Sequence, residues 1–394
     1  MDFVIFSTAD WDHPSWTNKQ HVAACLADLG HRILYVESMG IRRPSATVRD
    51  AARIRKRLGK LVSGMQHVRE NVWVMSPFSI PFQGNHLIRS LNLTVLRWQI
   101  IRSLHKLNML TPIFWTYNPL LGNFLDMKYW MKSVYHCVDE ISEQPGMPIQ
   151  LVREQEKELL QKVNRVFVTS VRLLEEKKIY NPNMYYLPNV VDFDHFHQTL
   201  TEKSLKIPED LDAISEPRVG FIGALSSYKV DFDLLYQVAL RMPNHSFVLI
   251  GDVGEGDPYT NVGKLKELGN VYFLGHRPYA RLPEYLKGIQ VCLLPFHLNR
   301  YTEYMFPMKF FEYLAAGRPV VGRKLPSLKS YTDHYIVAST VEEFVEGINQ
   351  CIGKSELVES LKTAGIELAR KNTYRQRTLK MLEIMESGCS GENS

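Results

Sequence analysis

The chain has 394 residues, 45% hydrophobic and 23% charged, with a net charge of +5. That length implies two domains with sizeable cores and excludes a small disulfide-stapled module. Five scattered cysteines with no Cys-x-x-Cys pair exclude a zinc cage and fit a reducing cytoplasm.

Residues 2–6 form a short apolar run, followed by a polar loop carrying Trp11, Asp12 and His13. Val22, Leu26 and Leu29 then recur at helical spacing, Gly30 ends that helix, and 32–37 reads as a strand. A strand, helix and strand in this order start a parallel sheet. The opening lacks both a signal-peptide pattern and a Gly-x-Gly-x-x-Gly turn, which lowers a dinucleotide-dehydrogenase reading.

Residues 42–60 hold eight basic residues against the single acid Asp50. Over 49–65, Ala51, Ile54, Leu58, Leu61 and Met65 fall at steps of three and four, with the cations largely off that stripe. A basic amphipathic helix suits an anionic membrane surface; a packed helix with a solvated basic face is the plainer alternative. No nucleic-acid module accompanies the charge, and no later apolar stretch is long enough to span a bilayer.

Strands are expected near 72–75, 113–117, 133–138 and 165–169, with helices over 86–108 and 149–162. Asp139 follows the strand that contains His136. Ligands in doubly wound sheets lie beyond the C-terminal strand ends, so both are candidate catalytic residues. The plainer readings are a cap for Asp139 and a core position for His136. The polar stretch 198–217 reads as a linker, giving domains 1–200 and 201–394, with the last helix packing back on the first domain.

The alternation restarts with strands at 218–222, 246–251, 271–274 and 291–294. Gly223 and Lys229 lie in the loop after the first of these, and His276–Arg277 follow the third. Close backbone approach at a glycine plus a nearby cation suits a diphosphate.

The most informative stretch is 304–322, YMFPMKFFEYLAAGRPVVG. Pro307 suits the start of a helix, Gly317 its end, and Val320–Val321 a following strand. Lys309 and Glu312, three residues apart, share one helical face. A helix N-terminus with a lysine seats phosphate, and a carboxylate grips a ribose diol. On spacing alone, a solvated ion pair is the plainer reading.

Pro-x-Lys-x-x-Glu-Tyr-Leu-Ala-x-Gly-x-Pro-Val-Val resembles the donor-binding signature of GT-B glycosyltransferases, especially glycosyltransferase family 4. Residues 185–196, YYLPNVVDFDHF, resemble the segment closing the N-terminal domain in these enzymes, with Val190 at the usual glycine. Trp-Asp-x-x-x-x-Thr-x-Lys-Gln, starting at Trp11, resembles openings of teichuronic-acid and exopolysaccharide transferases.

The resemblance implies an α/β GT-B fold, two Rossmann-like domains facing across a cleft. It implies a UDP- or GDP-linked sugar as substrate, no further cofactor, and transfer to a saccharide acceptor, lipid-linked and destined for surface polysaccharide. Lys309, Glu312, Gly223, Lys229 and Arg277 would bind the donor; Trp11, Asp12 and His13 would line the acceptor site.

Retention and metal independence are expected, at the cytoplasmic membrane face. The family's first acidic position, eight residues before Glu312, is Tyr304, with Glu303 one step away. A nucleotide-sugar epimerase and a non-catalytic binding subunit are the alternatives.

Overall fold

The computed structural model describes residues 1–14, 16–39, 64–78, 80, 86–254, 257, 259–353 and 355–387. The chain divides into two compact units, Met1–Leu187 with Thr378–Ser394, and Pro188–Arg377.

The first unit contains β1 (Asp2–Phe6), β2 (Arg32–Val36), β3 (Met65–Arg69), β4 (Val72–Met75), β5 (Ile113–Thr116), β6 (Ser133–Cys137), β7 (Arg165–Val168) and β8 (Met184–Tyr186). They form one sheet in the order β3-β4-β2-β1-β5-β6-β7-β8, parallel throughout except for β3 against β4. Strands β5 and β6 are buried at every position, as parallel strands covered on both faces require. The order reverses between β1 and β5, which sets this unit's ligand crevice at the loops after those strands.

The helix His86–Leu107 packs Leu96, Ile100 and Leu104 against Val4, Phe6, Leu34 and Phe114. Burying each such side chain is worth about 1.5–3 kcal/mol, which fixes which face turns inward.

The second unit contains β9 (Arg218–Ile222), β10 (Ser246–Ile250), β11 (Val271–Gly275), β12 (Val291–Leu294), β13 (Val320–Gly322) and β14 (Ile336–Val337). Their order is β11-β10-β9-β12-β13-β14, all parallel, with the reversal between β9 and β12. Phe310, Phe311 and Leu314 of the helix Met308–Ala315 are buried in this unit's core with Val219, Phe221 and Leu293. Gly317, at φ +64°, ends that helix: its N–H donates to Leu314 and that of Arg318 to Tyr313.

Several expectations need correction. The basic helix over 49–65 falls outside the described residues apart from Gly64 and Met65. Met65 opens β3 and pairs with Met75, so the helical stripe cannot include it. The expected division near residue 200 contrasts with one at Leu187/Pro188. Val191 donates to the Asn372 carbonyl and accepts from the Tyr374 N–H, while Phe193 and Phe196 enter the second core. The expected linker 198–217 begins inside the helix Phe193–Thr201 and contains the helix Glu209–Asp212. After Asn118 the chain forms a 3-10 helix, Pro119–Phe124.

Candidate donor and acceptor sites

In the second unit the loops after β9 and β12 are stitched together. The Asp231 N–H donates to Pro295 (2.8 Å), that of His297 to Lys229 (2.9 Å), and Asn299 Nδ2 to Tyr228 (2.8 Å). Lys229 therefore sits at the sheet's switch point, its Nζ 5.7 Å from the Tyr228 ring centroid.

The helix Met308–Ala315 is tied to the same place. The Ile222 N–H donates to Tyr313 Oη at 2.9 Å, and the Tyr313 hydroxyl donates to the Ile222 carbonyl at 3.3 Å. Ile222 immediately precedes Gly223, so the residue next to Glu312 is anchored beside the phosphate-candidate loop. The approach to this helix is fixed as well: Asn189 Nδ2 donates to the Phe306 carbonyl and Ser327 Oγ to that of Met305, both at 2.7 Å. Pro307 is the N-cap and brings no capping side chain. The first turn thus presents backbone N–H groups and positive potential without a competing acid.

Lys309 Nζ lies 2.6 Å from Glu312 Oε2; the Glu312 side chain is 4% exposed and that of Lys309 23%. A buried carboxylate with one half-exposed cation is more than a solvated surface pair. Tyr279 lies within electrostatic range: burial pushes its phenol well above the ordinary value, with Glu312, Asp192 and Tyr374 adding to the rise. The His195 ring stacks on Tyr279 at 4.5 Å. Burial also raises the Asp192 carboxyl.

Gly223 and Gly251 directly follow β9 and β10 and approach each other closely. Gly223 donates to Ile250 and Gly251 to Gly275, each at 2.9 Å. Beyond them, His276 Nδ1 is 3.7 Å from Asp252 Oδ2, while its Nε2 is buried without a hydrogen-bond partner among the described residues.

Arg277, expected at the donor, is engaged by its own neighbours. It pairs with Asp210, donates from Nε to Tyr285 Oη at 2.5 Å and from Nη1 to the His276 carbonyl at 3.0 Å. Burial favours the neutral Asp210 carboxyl, but the hydrogen bonds from Arg277 and Tyr285 outweigh it and hold its pKa down. With these bonds made, the guanidinium serves to brace the β11 loop. Glu303 is exposed while its neighbour Tyr304 is buried, so the shifted acid does not replace the family's first glutamate in an enclosed position.

In the first unit the Trp11 N–H donates to Glu37 Oε1 (2.9 Å), and the Trp11 ring packs 5.1 Å from Trp16 and Tyr35. Asp12 is exposed and His13 half-buried in the same loop. The Thr17-x-Lys-Gln part of the motif has a local cause. Gln20 Oε1 accepts from the Thr17 N–H and hydroxyl, both at 3.1 Å, and its Nε2 grips the Asp10 carbonyl at 2.9 Å.

Lys19, on the helix Asn18–Asp28, lies 6.0 Å from the Tyr117 ring centroid and within electrostatic range of Asp139. Burial lowers the Lys19 ammonium's pKa and Asp139 opposes that fall. Asp139 is half-buried at the end of β6. His136 is not: it is fully buried, its Nδ1 3.1 Å from Tyr117 Oη and its ring packed on Trp115 and Phe167. It cannot touch a substrate there and acts as a core residue holding Tyr117.

Sequence reasoning assigned no role to Lys19, Asn189, Asp192, Tyr313 or Gly251. The first four lie inside the quoted motifs, and Gly251 is the last residue of the strand expected at 246–251.

Residues 216–354 match the family model described as Glycosyl transferases group 1. That match lies within the second unit, Pro188–Arg377. TuaH of Bacillus subtilis (strain 168), named as a teichuronic acid biosynthesis glycosyltransferase, is 26% identical over 254 residues, 60% of this chain. The aligned part of this chain spans 62% of that relative's length.

Sucrose-phosphate synthase of Thermosynechococcus elongatus superposes with a TM-score of 0.71 at 15% identity, covering 98% of both chains. Anabaena HepE in complex with UDP and glucose gives 0.64 at 14% identity, covering 98% of this chain and 99% of its own. The fold is that of the GT-B glycosyltransferases.

Proposed function

We propose that the protein is a glycosyltransferase. It moves a sugar from a nucleotide donor to a lipid-linked saccharide acceptor in the assembly of a cell-surface polysaccharide. The observation that carries this reading is the buried Glu312 beside Lys309, on a helix hydrogen-bonded to the end of β9.

In this reading the diphosphate takes Lys309 and the free N–H groups of its helix, with Lys229 on the other side. Glu312, released from Lys309, accepts from the ribose hydroxyls, and the partnerless His276 Nε2 is available to the base. As the bond from the anomeric carbon to the diphosphate breaks, the leaving group takes the electron pair, the acceptor hydroxyl oxygen bonds to that carbon, and its proton passes to the departing diphosphate. The cations and the helix N-terminus stabilise that charge, which fits metal-independent transfer.

Asp139 and Lys19 are assigned to the acceptor, with Trp11, Asp12 and His13 around it. Family resemblance favours retention at the anomeric carbon, and product anomeric configuration read by NMR tests it. TuaH's name supports the polysaccharide assignment, and the UDP and glucose in HepE support a UDP-sugar donor.

Thermal unfolding with UDP, GDP and their sugars tests the donor site. A ligand at a hundred times its dissociation constant stabilises the native state by about 2.7 kcal/mol. The parent should show that shift with one nucleotide, and Glu312→Ala should lose it while still unfolding cooperatively. No shift in the parent with any nucleotide would sink the reading. Turnover of the sugar nucleotide without acceptor would replace transfer by epimerisation.

A further inference from the structure

The helix His86–Leu107 turns one face to the first unit's core and leaves an unusual face outward. Leu87 is 77% exposed, Leu91 51% and Trp98 63%. With Thr94, Arg102 and His105 they recur at steps of three and four, a single stripe along the helix. The opposite face is fixed by Leu96, Ile100 and Leu104, and by Asn92, which exchanges hydrogen bonds with the Ile80 backbone at 2.8 and 2.9 Å. The helix cannot roll to hide its outer leucines. Phe78, 37% exposed, donates its N–H to Gln99, the residue after Trp98.

The charge is as one-sided as the exposure. The helix contains no Asp or Glu, yet carries Arg89, Arg97, Arg102 and Lys106. Arg97 turns inward to the Asn123 carbonyl and the Phe124 ring, while the Arg102 guanidinium lies 5.8 Å from the Trp98 ring. Trp98 and Arg102 together have the make-up of an interfacial anchor, an aromatic ring at the headgroup level with a cation beside it. With no acid on the helix itself, its cations beside exposed leucines and a tryptophan complement an anionic lipid surface. No helix among the described residues is long and apolar enough to cross a membrane, so contact along this face would be from one side.

We propose that this outer face of His86–Leu107, through Leu87, Leu91, Trp98 and Arg102, docks the protein on an anionic bilayer. The proposal deepens the reading of a lipid-linked acceptor and rests on that reading for its purpose. It assigns the contact to described residues distinct from the basic stretch 42–60.

The test is co-sedimentation of the full chain with vesicles of phosphatidylcholine alone and of phosphatidylcholine with phosphatidylglycerol. The parent should bind the anionic vesicles, and L91E/W98E should bind them at least about tenfold more weakly. Its melting temperature and nucleotide-induced shift should stay unchanged, which keeps the donor site's fate separate. The Trp98 fluorescence, taken as the difference between the parent and W98F, should be quenched by brominated acyl chains.

Three results would overturn the proposal. The parent could ignore both vesicles. The double variant could bind like the parent, placing the contact elsewhere. Or the parent could be dimeric without lipid and L91E/W98E monomeric, which makes the face a contact between two copies.

Discussion

Lys177→Met should destabilise the first unit by about 3–5 kcal/mol, because it leaves buried carboxylates without their cation. Lys177 Nζ lies 2.7 Å from Glu140 Oε2 and also pairs with Glu156, and the three side chains are at most 8% exposed. Glu156 Oε1 accepts from Tyr135 Oη at 2.6 Å, and Glu140 Oε1 from Ser142 Oγ at 2.7 Å. Burial works against the charge on Lys177, but Glu156 and Glu140 outweigh it and raise its pKa. Burial likewise works against the Glu140 carboxylate, and Lys177 and Ser142 outweigh it and lower its pKa.

The signs set a pH window. A lowered carboxyl stabilises above its ordinary value near 4.3 and loses that contribution as pH falls through the folded value. A raised lysine stabilises below its ordinary value near 10.4 and fails only above it. Urea unfolding of the parent should therefore be flat in this respect across neutral pH. In Lys177→Met the folded state gains from protonation, so stability should rise as pH drops from about 8 to 5.

Adding Glu140→Gln and Glu156→Gln should recover most of the loss, since removing a whole buried charge set costs far less than breaking it. A single variant as stable as the parent, with no pH slope, would show that the network contributes little. Glu140 directly follows Asp139, so the same network holds the strand end that carries Asp139.

The network also shows where the sequence is silent. Glu140, Glu156 and Lys177 are far apart in the chain, and Glu156 lies in a stretch so charged that it reads as a solvated helix. Nothing local marks one of its glutamates as buried. The same distance problem hid the partner of Arg277, since Asp210 lies in what looked like a linker. His136 looked catalytic because it precedes a strand end, but a strand buried on both faces encloses every side chain.

Lys309, Glu312 and Gly317 were legible because one helix sets their geometry, and helical spacing needs no tertiary information. The alternation of apolar runs and helices was legible for the same reason. The edge strand β3 was not: its middle positions are exposed, so it has no apolar pattern to read.

Gly251→Ala should destabilise the second unit by about 4 kcal/mol, the sum of backbone strain and a forced contact. Gly251 sits at φ +145°, a region that side chains rarely enter. A Cβ there would lie 1.9 Å from the Gly223 carbonyl oxygen. That atom is backbone at the end of a central strand, with Gly223 itself held by the Ile250 carbonyl, so it cannot swing away as a side chain would.

Relief requires β9 and β10 to part at their C-terminal ends, which displaces the loop running from Gly223 to Lys229. Besides the drop in denaturant midpoint, the variant should lose the nucleotide-induced melting shift at temperatures where it remains folded. Gly269→Ala is the control: its added Cβ meets nothing within 4 Å, and it should unfold within about 0.5 kcal/mol of the parent. If Gly251→Ala matched that control in both measurements, the close approach of the two strand ends would not be what shapes the loop. Loss of the nucleotide response with stability intact would instead place Gly251 itself against the donor.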